Sequence, residues 1–183
     1  ARILPIIGAG VQGHSHLKMR PRVHNFDEIR IAALYFTDAQ KLAATHSKAR
    51  AIESYQEAVQ GADVVCLCTN SESPVISLDW LSPGAHVTSV GYAPPGGELP
   101  CEVINHSRLV VETRLAFELP PTGCGELAGL DSSIGVELGE ILSGKHPGRQ
   151  TDNEITVYKA MGHAMEDLVA ANIVYQRARQ QGA

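Results

Sequence analysis

The stretch Gly8-Ala-Gly-Val-Gln-Gly13 limits what this chain can fold into more than any other part of it. It has the spacing G-x-G-x-x-G, which among 17 glycines could arise by chance. Its placement gives it weight. It follows at once on the apolar run Ile3-Leu-Pro-Ile-Ile7, and it opens a segment with helical character. A buried strand that turns sharply into a helix needs a first glycine, Gly8, at the tight turn. It needs a second, Gly10, where backbone must come close to a ligand, and a third, Gly13, where helix packs on strand. The free N–H groups of Val11 and Gln12 at the helix start then face an anion. A turn of this kind suits the pyrophosphate of a nicotinamide dinucleotide, NAD or NADP.

The rest of the chain alternates in the same way. After a helix over 11–20 that Pro21 would stop, strands are expected over 29–34, 62–68, 85–90 and 109–112. Helices are expected over 38–47, capped by Thr37 or Asp38, and over 53–60 and 134–142, with a helical turn at 79–81. The last helix is expected over about 153–180. Thr151 and Glu154 fit a capping box, and Val157, Met161, Ala164, Leu168, Ala171 and Tyr175 recur at helical spacing as one buried face. Strands that are apolar throughout and alternate with helices imply a parallel sheet covered on both sides. The expected fold is α/β, a doubly wound parallel sheet of the Rossmann dinucleotide-binding type, with residues 1–183 as one domain.

In such sheets ligands bind beyond the carboxyl ends of the strands. The second strand runs out at Leu34 and Tyr35, where an acidic residue would select NAD and an arginine NADP. Neither is there, so the choice stays open; Tyr35 could stack on adenine or simply pack. Thr69, Asn70 and Ser71 follow the third expected strand and offer small polar groups to a ribose or to nicotinamide. Val90 and Gly91 end the next strand. Of the eight histidines, His14 and His16 stand two apart on a helix and make a poor chelating pair. His163, beside Gly162, is retained as a site candidate. No metal site is expected.

A formal net charge of -5 and the lack of any basic block argue against nucleic acid as a partner. The apolar runs fall far short of the roughly 20 residues a membrane span needs. Cys66, Cys68, Cys101 and Cys124 lack metal-ligand spacing and are expected as buried thiols in a reducing cytoplasm. The chain opens inside a strand, as if cut from something longer.

These pieces together resemble the ornithine cyclodeaminase/mu-crystallin family. The matching stretches are residues 8–12, 57–63, 80–86, 138–142, 144–149, 154–157 and 166–171, within a likeness that runs from Ile6 to about Tyr175. Their order and spacing carry the resemblance. It implies a dinucleotide-dependent group of imino- and amino-acid enzymes, with binding proteins among the relatives. It also implies an N-terminal lobe ahead of the glycine turn, which grips the substrate carboxylate and helps to form a dimer. Without that lobe the chain would bind cofactor and lack an assembled substrate pocket. The resemblance further implies a catalytic Asp just after the strand ending at Gly91, where this chain has Tyr92. A phenol donates a proton but is a poor base near neutrality, which favours imine reduction or a binding role over cyclodeamination. If the last helix packs on its own sheet, a monomer is expected; if it normally meets the missing lobe, its exposed apolar stripe would drive self-association, and of the two a homodimer is favoured.

Overall fold

In a computed structural model that describes residues 1–182, the chain begins with β1 (Ile3–Ile7), buried on both faces. Strand geometry sends successive side chains to opposite sides. Leu4 and Ile6 therefore enter one core, with Leu17, Ile29, Ile31 and Leu42, while Ile7 enters the other, with Val65, Val87, Val103 and Val157. Helices α1 (Val11–Val23) and α2 (Phe36–Ala43) cover the first side. The short helices α3 (Tyr55–Val59) and α4 (Cys101–Asn105) cover the second. This is the doubly wound arrangement expected from the alternation of elements.

Eight parallel strands form one sheet in the order β3-β2-β1-β4-β5-β8-β6-β7. Besides β1 they are β2 (Glu28–Ala32), β3 (Ala49–Ala51), β4 (Val64–Leu67), β5 (His86–Ser89), β6 (Arg108–Val111), β7 (Gly135–Glu137) and β8 (Thr156–Lys159). The order reverses at β1, which pairs with β2 on one side and β4 on the other. A crevice opens beyond the carboxyl ends of strands at such a switch point.

The end of the chain departs from expectation. Residues 156–159 are not helical: they form β8, which slots between β5 and β6 and is hydrogen-bonded to both. Thr156, Val157 and Tyr158 are β-branched or aromatic and suit a strand with neighbours on both edges. The expected capping box is not formed either. Glu154 accepts instead from Arg108 Nε at 2.9 Å and from the Gln150 N–H at 2.7 Å. The final helix is α6 (Ala164–Gln180), and none of its residues is buried. Leu168 and Tyr175, expected inside, are 60% and 57% exposed, so this helix does not pack its apolar stripe on the sheet.

Other boundaries move as well. Helix α1 continues past Pro21 and closes when the His24 N–H donates to the Arg20 carbonyl at 3.2 Å. Helix α2 starts earlier than expected, with Tyr35 and not Thr37 or Asp38 at its cap. The helix expected over 134–142 is split into β7 and α5 (Leu138–Leu142), which begins with a capping box between Glu137 and Glu140. Of the thiols, Cys66, Cys68 and Cys124 are buried, but Cys101 is exposed at the start of α4. No helix among the described residues is long and apolar enough to cross a membrane.

Candidate dinucleotide site

The three glycines of the turn after β1 play different parts. Gly8 has φ +112, a backbone conformation that side chains resist, and its N–H donates to Ala32 O of β2 at 2.8 Å. A Cβ on Gly8 would lie inside the Cys68 carbonyl, and one on Gly13 would strike the Gly8 carbonyl, so α1 rests against the turn backbone to backbone. Gly10, the N-cap of α1, has an ordinary φ of -82 and would aim a Cβ into open space. That opening is where a pyrophosphate would fit. No side chain caps α1 and its first turn holds no acidic residue, so the amide groups of Val11 and Gln12 stay available to an anion.

A cleft of about 830 Å³ lies beside the turn, bounded by the segments that follow β1, β2 and β4. Gly8, Gly10, Leu34, Tyr35, Thr69, Asn70 and Ser71, all singled out in the sequence, line it together. Leu34 and Tyr35 are 81% and 66% exposed and stand at its mouth. Val75, Ile76 and Trp80 give it an apolar wall, joined by Tyr55, whose hydroxyl is pushed above its usual pKa by burial. Gly13 is buried beneath the turn, and Val11 and Gln12 are exposed at its rim. Val90 and Gly91 follow directly on β5, and Gly91 lies against the Thr69 backbone. Tyr92 follows, 41% exposed and off the cleft wall. Gly162 has φ +77 and joins β8 to α6, where His163 caps the helix by accepting from the Met165 N–H. Both lie away from the wall. His16 Nδ1 donates to Gln12 O at 2.8 Å, and burial lowers its pKa.

Beneath the carboxyl ends of β4, β5 and β8 lies a buried polar cluster that sequence reasoning missed. Lys159 is fully buried at the end of β8. Its Nζ donates to Gly91 O at 2.7 Å and Ser89 Oγ at 3.1 Å, and it pairs with Glu126 at 2.9 Å, which uses every proton it has. Glu98, 1% exposed, accepts from Thr69 N–H and Thr69 O–H, both at 2.7 Å, and from Gly91 N–H at 2.7 Å and Ser89 Oγ at 2.9 Å. Both peptide groups of Gly91 are therefore gripped by charged side chains, and Thr69 is tied to the same carboxylate. Lys159 and Glu126 are paired and hydrogen-bonded, as buried charges must be, and Glu98, with no cation beside it, is held by four hydrogen bonds from neutral donors. The cluster fixes the ends of β4 and β5, the strands that bring Thr69 and Gly91 together. Its one trace in the sequence is a lysine closing the β-prone run Thr-Val-Tyr, which helical spacing concealed.

The chain as a whole is similar to known proteins. The ornithine cyclodeaminase/mu-crystallin family matches residues 1–182. Ketimine reductase mu-crystallin of Mus musculus is 39% identical over 175 residues, which is 94% of this chain and 54% of the mouse protein. A Delta(1)-pyrroline-2-carboxylate reductase of Bacillus cereus is 34% identical over 194 residues, covering 100% of this chain and 59% of its own. The structure of Delta(1)-pyrroline-2-carboxylate reductase from Thermococcus litoralis, in complex with NADH and L-proline, is 29% identical. It superposes with a TM-score of 0.89 over 100% of this chain and 60% of its own. The chain thus spans a little over half the length of the relatives it matches. The profile match along residues 1–182, the 39% identity and the shared fold agree, and the chain belongs to the ornithine cyclodeaminase/mu-crystallin family.

Proposed function

We propose that this chain is the dinucleotide-binding part of an NAD(P)-dependent oxidoreductase that acts on small imino or amino acids. The observation that carries the reading is the opening above Gly10 at the mouth of a cleft built on the carboxyl ends of β1, β2 and β4. The pyrophosphate is placed on the Gly8–Gly13 turn, the adenosine against Leu34 and Tyr35, and the nicotinamide toward Thr69, Asn70, Ser71, Val90 and Gly91. A bound nicotinamide would supply or accept the hydride at the carbon bearing the imine or amine. The chain's own groups do the rest. Thr69 and Gly91, locked by Glu98 and Lys159, would set the depth of the ring, and Tyr92 would offer a phenolic proton near it. The relatives named for reduction of ketimine and pyrroline-2-carboxylate support a cyclic imino acid as substrate.

One observation favours a second reading, a non-catalytic NAD(P)-binding protein. Tyr92 stands where the resemblance places Asp, and its side chain is 41% exposed. Oxidation of NADH or NADPH dependent on Delta(1)-pyrroline-2-carboxylate separates the two. Turnover supports the enzyme; saturable dinucleotide binding without turnover on any cyclic imino acid supports the binding protein. We also place the protein in the cytoplasm, where its unpaired thiols would stay reduced, and assign it no nucleic-acid or membrane partner. Self-association is assigned to the exposed apolar stripe of α6, where Leu168, Ile173 and Tyr175 are all at least 47% exposed.

A further inference from the structure

We propose that the cleft selects NAD(H) over NADP(H) and that Asp38 makes the choice. The proposal rests on the dinucleotide reading above. In folds of this type the residue that reads the adenosine ribose closes the second strand: an acid bonds the bare 2′-hydroxyl, and an arginine holds a 2′-phosphate. Here β2 runs out into Ala32, Ala33 and Leu34, which can do neither. The charge that faces the cleft comes from further along, in the first turn of α2. Asp38 is the one charged side chain among the residues that line the cleft, and it shares the wall with Ala33, Leu34 and Tyr35. A smaller hollow that continues the same mouth, with Leu34, Tyr55 and Trp80, adds Glu53, again an anion.

The cations nearby are otherwise engaged. Arg30 donates to the carbonyls of Glu57, Ala58 and Gln60 at 3.3, 3.2 and 2.8 Å and pairs with Glu28 at 3.1 Å. Arg50 also pairs with Glu28. Lys41 bonds Asp38 Oδ1 at 3.0 Å from the solvent side and is not on the wall. That pair leaves Oδ2 to accept from a ribose hydroxyl. A 2′-phosphate carries nearly two negative charges near neutrality. It would meet Asp38 and Glu53 with no guanidinium to receive it. A hydroxyl in the same place donates a hydrogen bond to a carboxylate, which is stronger than a bond between neutral groups.

Parallel titrations of the purified protein with NADH and NADPH, read by nicotinamide fluorescence, test this directly. NADH is expected to bind at least about tenfold more tightly, with the ratio shrinking as salt screens the carboxylates. Asp38→Asn keeps the shape and half-exposed setting of the side chain. It is expected to narrow the ratio several-fold, and Asp38→Arg to narrow it further or invert it, each at a melting temperature near that of the parent. Lys41→Ala is expected to leave NADPH affinity unchanged. Equal or tighter binding of NADPH by the parent protein would overturn the selection and leave the dinucleotide site standing. An unchanged ratio in a folded Asp38→Asn protein, or selective loss of NADPH binding in Lys41→Ala, would also overturn it. Failure of both cofactors to bind would instead bring down the functional reading beneath it.

Discussion

Gly10 and Gly13 have the same side chain, a hydrogen, for opposite reasons. Gly13 lies under the turn, where a Cβ would run into the Gly8 carbonyl. Replacing glycine by alanine inside a helix ordinarily gains up to about 1 kcal/mol. The overpacking penalty of about 1–3 kcal/mol outweighs that gain here, so Gly13→Ala should lower stability in denaturant melts. Gly10 faces open space with a φ that any residue adopts, and a substitution there should leave stability within about 0.5 kcal/mol. What such a change costs has to be sought in ligand binding. Lys159 shows the other residue-scale effect. Lys159→Met removes the partner of Glu126 and leaves a carboxylate 3% exposed with no countercharge. The expected loss is about 3–5 kcal/mol, the usual cost of breaking one side of a buried pair, and it is checked by chemical denaturation. A loss below about 1 kcal/mol would show that Glu126 is relieved in some other way.

Among the elements, β1, its turn and α1 were legible because their signals are local: an apolar run, three glycines at fixed spacing, and a helix that follows at once. Strand β8 was not. Val157, Met161 and Ala164 stand three and four apart by coincidence, and the case for a strand arises only once β5 and β6 frame the segment on both sides. Strands β3 and β7, three residues each, are held by pairing to a neighbour and carry too little sequence to announce themselves. In the site the glycines and residues 69–71 could be read directly. Glu98 and Glu126 could not, since they come from loops brought under the sheet by tertiary packing alone. The β5–β8 pairing also has a pH dependence. The His86 Nδ1 and the Thr156 hydroxyl lie 2.7 Å apart, and Arg149 donates to the same hydroxyl at 2.9 Å. Burial, then Arg20 and Arg149, lower the His86 pKa from 6.5 to about 4. The unfolded chain takes up this proton first as pH falls, so the contribution is present above pH 6.5 and is lost toward pH 4. Between pH 7 and pH 5 this one group should cost roughly 2 kcal/mol, and His86→Gln should flatten that part of the stability profile.

Seen as a whole molecule, the sheet supports a finished cleft at one edge of the switch point and an unfinished surface along α6. That helix offers Met165, Leu168, Val169, Ile173, Val174 and Tyr175 to solvent, each at least 47% exposed. Sedimentation over a range of concentrations should therefore show a rising apparent mass, and a constant monomer mass would remove the stripe as a site of self-association. The cleft is the more direct test of what the protein does. The measurement to make is saturation of the protein by NADH, followed by nicotinamide fluorescence, for the parent and for Gly10→Val side by side with their thermal melts. Saturable binding is expected of the parent, with its loss in Gly10→Val at an unchanged melting temperature. Equal binding by both proteins would put the dinucleotide somewhere other than the glycine turn, and no binding by the parent would contradict the dinucleotide site itself.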